Sequence, residues 1–174
     1  MVISPAVTES VALSVRPVEN TDVERLARMF ERLSPMTVYY RFHSPLPRLP
    51  RSTLVRLADV DHCRSEALAA VYDGEIVAVA RYNAVRGADG SQTRGADIAI
   101  AVEDVWQHRG IGSRLVRSLA HLAVRRGFHT FSATILPENR AALAMMRKLV
   151  PDADVRFVSG TYEARLPLIR AVAR

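Results

Sequence analysis

The segment Gln107-His108-Arg109-Gly110-Ile111-Gly112-Ser113-Arg114 sits between an apolar run, Asp97 to Val102, and a long helical pattern. Its Gln107-x-x-Gly110-x-Gly112 spacing suits the binding of a pyrophosphate. Successive backbone N–H groups at a helix start face the anion, the helix dipole favours negative charge, and glycines admit phosphate oxygens close to the backbone. Arg109 or Arg114 adds positive charge there. Two other phosphate-binding patterns fail to match. A dinucleotide fingerprint needs a third glycine where Leu115 stands, and a phosphate loop needs a Gly-Lys-Ser/Thr run that this chain lacks. His62 and Cys63 are adjacent but have no third orienting group in a nucleophile pattern, and His43, His121 and His129 lack metal-ligand spacing. No metal site is expected.

The elements that must hold this segment follow from periodicity and punctuation. Residues 1–10 read as a flexible tail and residues 11–174 as one domain, with Val11 to Val18 able to form a first strand. Thr21 to Glu24 has capping-box spacing, and Val23, Leu26, Met29, Phe30 and Leu33 then share one face of a helix ending near Ser34-Pro35. Prolines 35, 45, 47 and 50 divide the next segment into two short helical pieces, Met36 to Phe42 and Ser52 to Ala58. Glu66 to Tyr72 and Glu75 to Val85 form a hairpin around Asp73-Gly74, followed by a polar loop from Arg86 to Gly95 and the strand Asp97 to Val102. A helix runs from Gly110 to Arg126 and stops at Gly127. Thr130 to Leu136 is a strand, Glu138 to Leu149 a helix, and Asp154 to Leu168 two strands. This mixture, with a strand–helix–strand crossover around 97–136, predicts a mixed sheet carrying packed helices.

Composition narrows the function classes. With 174 residues, 49% hydrophobic and 24% charged, the chain has material for a core and does not read as disordered. No apolar run reaches bilayer-spanning length and no leader pattern opens the chain, so a soluble cytoplasmic protein is expected, in keeping with its single cysteine. The net charge is +6 and Lys148 is the only lysine. The arginines are spread along the chain without a basic tract, so nucleic acid is not the expected partner; the charge equally suits a polyphosphate ligand.

The Gln107-x-x-Gly110-x-Gly112 signature after a strand and before a helix resembles the acyl-CoA-binding signature of the GNAT N-acetyltransferase superfamily. The order of elements agrees over roughly residues 11–168, including Asn139 at a helix start with Ala142 and Lys148 beyond it. Ser34 to Phe42, Asp59 to His62, Glu75 to Tyr82 and Glu138 to Ala144 further resemble the acetyltransferase domain of bacterial protein lysine acetyltransferases of the Pat type. Those enzymes often carry a cyclic-nucleotide-binding or acyl-CoA-synthetase-like domain, for which this chain has no room, so such regulation is not carried over. The resemblance implies the GNAT fold: α+β, a mostly antiparallel sheet of about seven strands with helices on both faces.

What the resemblance implies for chemistry is specific. Acetyl-CoA is the co-substrate, and the acceptor is a protein lysine or a small amine. Backbone groups of Ala101 and Val102 meet the pantetheine amides, and the backbone of Gln107, His108, Arg109, Gly110, Ile111, Gly112 and Ser113, beside Arg114, meets the pyrophosphate. Asn139 either bonds the pantetheine arm or caps its helix. Counting back from the glycine loop places Asp97 where the family has its glutamate base; the shorter side chain favours a bridging water. Met146 stands where many members have a thiolate-protonating tyrosine, which favours the protein-acetylating branch, although a core methionine reads equally well. Glu103 and Asp104 read as solvated, Trp106 as covering core near the cofactor loop, and Tyr39, Tyr40 and Phe42 as helix packing or an acceptor-groove border. Val150-Pro151 replaces the family's Gly-Phe, so proline must stop the last helix. The expected assembly is a monomer or homodimer. The alternatives to lysine acetylation are transfer to a small amine or a protein N-terminus, and a non-catalytic module that senses acyl-CoA.

Overall fold

The structure, a computed structural model, describes residues 13–151 and 153–168. Seven strands form one sheet: β1 (Ser14–Pro17), β2 (Ser65–Tyr72), β3 (Glu75–Arg86), β4 (Gln92–Val102), β5 (Thr130–Ile135), β6 (Asp154–Val158) and β7 (Thr161–Pro167). Their order is β1-β2-β3-β4-β5-β7-β6, and every neighbouring pair is antiparallel except β4 with β5. The parallel pair needs a crossover, which the helix α4 (Ile111–Arg125) supplies. The other helices are α1 (Val23–Glu31), α2 (Pro35–Phe42), α3 (Arg51–Ala58) and α5 (Arg140–Leu149). The expected α+β architecture is therefore present.

Strand alternation divides the core into two layers. Ala67 and Ala69 of β2, Val79 of β3 and Ala101 of β4 pack with Leu26, Met29, Phe30, Val38 and Leu54 from α1, α2 and α3. Leu68, Ala80, Tyr82 and Ile98 turn the other way, toward Leu115 and Leu119 of α4 and Met146 and Leu149 of α5. Both faces of the central strands are thus covered, which is why β2 reads as a continuous apolar run rather than an alternating one.

Local chemistry explains most boundaries. Asp73 and Gly74 both have positive φ (48° and 77°), as a two-residue hairpin turn requires. Gly127, at φ 83°, follows α4 in the left-handed region. Ser34 caps α2, its hydroxyl accepting from the Thr37 N–H, with Pro35 at the first helical position. After α5, Val150 has φ −137° and its N–H still reaches the Met146 carbonyl, so the helix closes without a left-handed residue before Pro151.

Two expectations change, and one lies beyond the described residues. β4 starts at Gln92, inside the segment read as loop, because Arg86 of the long β3 stands opposite Gln92 and the Thr93 hydroxyl donates to the Val85 carbonyl. The Thr21–Glu24 capping box does not form. Asp22 instead accepts from the Glu19 N–H and from the guanidiniums of Arg16 (2.6 Å) and Arg25 (3.1 Å), partners that satisfy a carboxylate with 1% side-chain exposure. The tail over 1–10 and the start of the first expected strand, Val11 and Ala12, lie outside the described residues.

Candidate active site

β4 and β5 pair at only three positions, Gly95 with Thr130, Ala96 with Phe131 and Asp97 with Ser132. Past Asp97 the two strands part. β4 continues to Val102 held by β3 alone, and its other edge keeps backbone N–H and C=O groups open to an extended ligand, in the manner of an added strand. A cavity of about 410 Å³ lies against this open edge. Its walls are Ile100, Ala101 and Val102 of β4, the start of α4, one side of α5 and the inner side of α2.

The glycine segment forms the end of the cavity at the start of α4. His108 and Gly110 have φ 59° and 79°, so the chain turns sharply and the first N–H groups of α4 emerge with no side-chain cap. The two glycines do different work. Gly110 supplies the left-handed conformation, with open space where a Cβ would stand. A Cβ on Gly112 would lie 3.2 Å from Ile100 Cδ1 and 3.2 Å from Met145 Sδ, so this glycine lets α4 approach β4 and α5.

Of the residues expected to hold the co-substrate, Ala101, Val102, Gln107, His108, Gly110, Ile111, Gly112, Ser113 and Asn139 line the cavity. Arg109 and Arg114 stand outside that lining. The Arg109 guanidinium lies over the Trp106 ring, 5.0 Å from its centroid, and Arg114 donates to the Leu13 carbonyl at 3.4 Å. Asn139 caps α5, its side-chain oxygen accepting from the Ala142 N–H at 3.1 Å while the residue faces the cavity. Gln107 turns its amide inward, donating to the Val102 carbonyl (3.1 Å) and to Thr37 Oγ1 (3.2 Å).

Of Glu103 and Asp104, both expected in solvent, Glu103 is buried, while Asp104 is exposed as expected yet engaged by neighbouring donors. Glu103 is 5% exposed and paired with Arg32 at 2.7 Å. The Asp104 carboxylate accepts from the Ser34 N–H (2.9 Å), the Ser34 hydroxyl (2.7 Å) and the Thr37 hydroxyl (2.8 Å). Burial works to raise its pKa, but these donors outweigh it and hold the carboxyl below its ordinary value. Asp104 thereby fastens the start of α2 to the end of β4. Tyr40 donates to the Glu138 carbonyl at 3.3 Å, so α2 spans the gap where β4 and β5 part.

Asp97 occupies the point of divergence. By alternation it shares with Ala101 the sheet face that carries α1, α2 and α3. It is solvent-exposed, opposite Asn83 on β3, and the Ser132 hydroxyl on β5 donates to its Oδ1. Three residues, about 10 Å of extended chain, separate it from Ile100 at the cavity wall. Ser132, Asn83 and Thr37 were not singled out in the sequence; only strand pairing and helix docking bring them here.

Met145 lines the cavity, whereas Met146, which replaces the family's tyrosine, is 3% exposed in the core. Cys63 is exposed, and the neighbouring His62 pairs through Nδ1 with Glu66 at 2.8 Å, away from any nucleophile. Among the described residues there is no group of His, Cys, Asp and Glu able to hold a metal, and no helix is long and apolar enough to cross a membrane.

Comparison with known proteins agrees with this geometry. Residues 26–149 match the model of the acetyltransferase (GNAT) family. Acetyltransferase PA5475 of Pseudomonas aeruginosa is 30% identical over 154 residues, which span 83% of this chain and 80% of that protein. Acetyltransferase Pat of Mycolicibacterium smegmatis is 34% identical over 137 residues, 78% of this chain but 40% of that longer protein. The crystal structure of the GNAT domain of S. lividans PAT superposes with a TM-score of 0.82 at 31% identity, covering 89% of this chain and 90% of that one. A signature loop at the head of α4, a sheet parted beside it and these relatives place the chain in the GNAT family, as an acetyltransferase that draws its acetyl group from acetyl-CoA.

Proposed function

We propose that this acetyltransferase acts on protein lysine side chains, with Asp97 as general base. The observation that carries the reading is the place of Asp97 at the last paired position of β4 and β5, where an acyl group entering from the cavity and an amine entering from the opposite face would meet. The branch assignment draws on the similarity to Pat and to the S. lividans PAT domain, and on Met146 in place of a tyrosine acid. The domain would extend over residues 11–174.

A lysine amine with pKa about 10.4 arrives almost wholly protonated at neutral pH. Asp97, its Oδ1 held by the Ser132 hydroxyl, accepts that proton, and a side chain one methylene shorter than glutamate favours passage through water. The amine nitrogen then bonds to the carbonyl carbon, the carbon–sulfur bond breaks, CoA departs as its thiolate, and the nitrogen releases its second proton to water as the amide forms. Backbone N–H groups on the open edge of β4 would steady the oxyanion, and those opening α4 the pyrophosphate. Ala101, Val102 and Asn139 would hold the pantetheine arm, and Gln107 to Ser113 the phosphates. His108 would flank them, with Arg109 and Arg114 adding longer-range positive charge.

The test is transfer of labelled acetyl from acetyl-CoA to a desalted bacterial lysate, separated into protein and small-molecule fractions, for the parent and Asp97→Asn. Label on protein lysines that falls about 100-fold in the mutant at pH 7 is the expected result. The deficit should narrow toward pH 10, where the amine loses its own proton. Label confined to small amines would overturn the lysine assignment, and an undiminished mutant would remove Asp97 as base.

A further inference from the structure

The helix α2 walls the cavity but has little core of its own. Of its eight residues only Val38 is buried, Phe42 lies against Phe30 with ring centroids 5.6 Å apart, and Met36 and Tyr39 are exposed. A helix of about two turns is not stable by itself in water, so what it touches must set its place. Among the described residues, its side-chain hydrogen bonds to other elements all end at or beside the rest of the cavity wall. Ser34 and Thr37 reach Asp104 just past the end of β4, Thr37 also meets Gln107, and Tyr40 meets the Glu138 carbonyl next to Asn139.

Thr37 is the hub of these bonds, and the charge on Asp104 fixes their direction. An ionised carboxylate only accepts, so the single hydroxyl proton of Thr37 goes to Asp104 Oδ1 at 2.8 Å. Thr37 Oγ1 is then an acceptor toward Gln107, which must present its Nε2 (3.2 Å) and not its amide oxygen. The other N–H of the same amide goes to the Val102 carbonyl at 3.1 Å. One side chain thus ties together β4, α2 and the loop ahead of α4. Gln107 also directly precedes His108, a non-glycine residue held at φ 59°, in the segment whose backbone faces the phosphates.

A ligand that fixes this loop fixes Gln107, and whatever fixes Gln107 fixes Thr37. We propose that Thr37 is a positioning residue that carries donor binding to α2: acyl-CoA seated on the Gln107–Ser113 segment orders the helix that spans the parting of β4 and β5. This role rests on the reading of the cavity as the acyl-CoA site and not on which amine accepts the group. No covalent bond forms or breaks at Thr37; it acts through Gln107. A thinly anchored helix opens locally, at a cost well below that of global unfolding, and the relay raises that cost only while the donor is bound. The wall beside the reacting atoms is therefore set after the donor has docked.

The experiment is hydrogen exchange of the full chain with and without saturating acetyl-CoA, for the parent, Thr37→Val and Thr37→Ser, with thermal melts confirming that both variants fold. In the ligand-free parent the amides of Val38 to Phe42 should exchange faster than those of β2, and acetyl-CoA should slow them by about tenfold or more. Thr37→Val deletes the hydroxyl at nearly constant shape. It should keep acetyl-CoA affinity within about threefold by calorimetry, keep the slowing at Ile111 to Ser113, and cut the slowing in α2 to less than about twofold, while Thr37→Ser restores it. If Thr37 merely packed α2, valine would speed exchange equally with and without ligand and the slowing would survive. That result overturns the relay, as do α2 amides that exchange no faster than β2 or that gain nothing in the parent while the start of α4 is protected. Absence of acetyl-CoA binding to the parent would refute the reading of the cavity and the relay with it.

Discussion

Adjacent methionines on α5 have opposite environments, which decides what each can do. Met145 faces the cavity and touches the space above Gly112, while Met146 is enclosed by the layer that contains Leu115 and Leu119. A thioether buried at 3% exposure has no proton to give, so Met146 belongs to stability and not to the chemical step. Met146→Ala should cost about 2–5 kcal/mol in urea unfolding. Measured on the fraction that remains folded, the transfer rate should stay within tenfold of the parent, and a larger loss would return this position to catalysis. The glycines show the same separation of roles. Spacing alone made both look like phosphate contacts, yet only Gly110 has the left-handed backbone, and Gly112 is small because Ile100 and Met145 crowd it.

Between elements, carboxylates held by donors distant in sequence decide how the helices seat on the sheet. Asp22 joins β1 to α1 through Arg16 and Arg25, and the Arg16 hydrogen bond, against the opposing effect of burial, lowers its pKa to about 2. The folded carboxyl is thus depressed below its unfolded value, so its stabilisation is complete above pH 4 and disappears as pH falls toward 2. Asp22→Asn should therefore lose at most about 2 kcal/mol at pH 7, since both arginines are partly exposed, and the gap to the parent should close near pH 2. Denaturant melts at pH 7, 4 and 2.5 check this, and a gap independent of pH would show that shape rather than charge matters. Asp104 and Glu103 do the equivalent for α2 and α1 at the cavity. Their partners Ser34, Thr37 and Arg32 are some 70 residues away in sequence, which is why they read as solvated there. Elements set by nearby residues were legible: the Asp73-Gly74 hairpin, the Gly127 stop, the glycine segment ahead of α4 and the face of α1. What depended on distant pairing was not: the early start of β4, Ser132 beside Asp97, and Asp104 fastened to Ser34 and Thr37.

For the whole molecule, the consequence of the single parallel pair is an unfinished sheet. Antiparallel ladders join β1 to β4 and β5 through β7 to β6, and the two halves share only the three positions ending at Asp97. A ligand lying along the open edge of β4 would complete the ladder and link the halves through α4, α5 and α2. It would therefore stabilise the fold as a unit rather than one loop. At a concentration 100 times its dissociation constant, acetyl-CoA should add about 2.7 kcal/mol, a rise of about 5–10 °C in Tm for a chain of this size. Hydrogen exchange should slow at the amides of Ile98 to Val102 that turn from β3 toward the open edge and at Ile111 to Ser113, which lack an intrahelical partner, and also, by up to about 100-fold, at β2 amides that exchange only through global unfolding. Protection confined to the start of α4 would mean that the phosphates dock while the pantetheine arm does not. In that case the parting of β4 and β5 would be a feature of the fold and not the path of the acyl group.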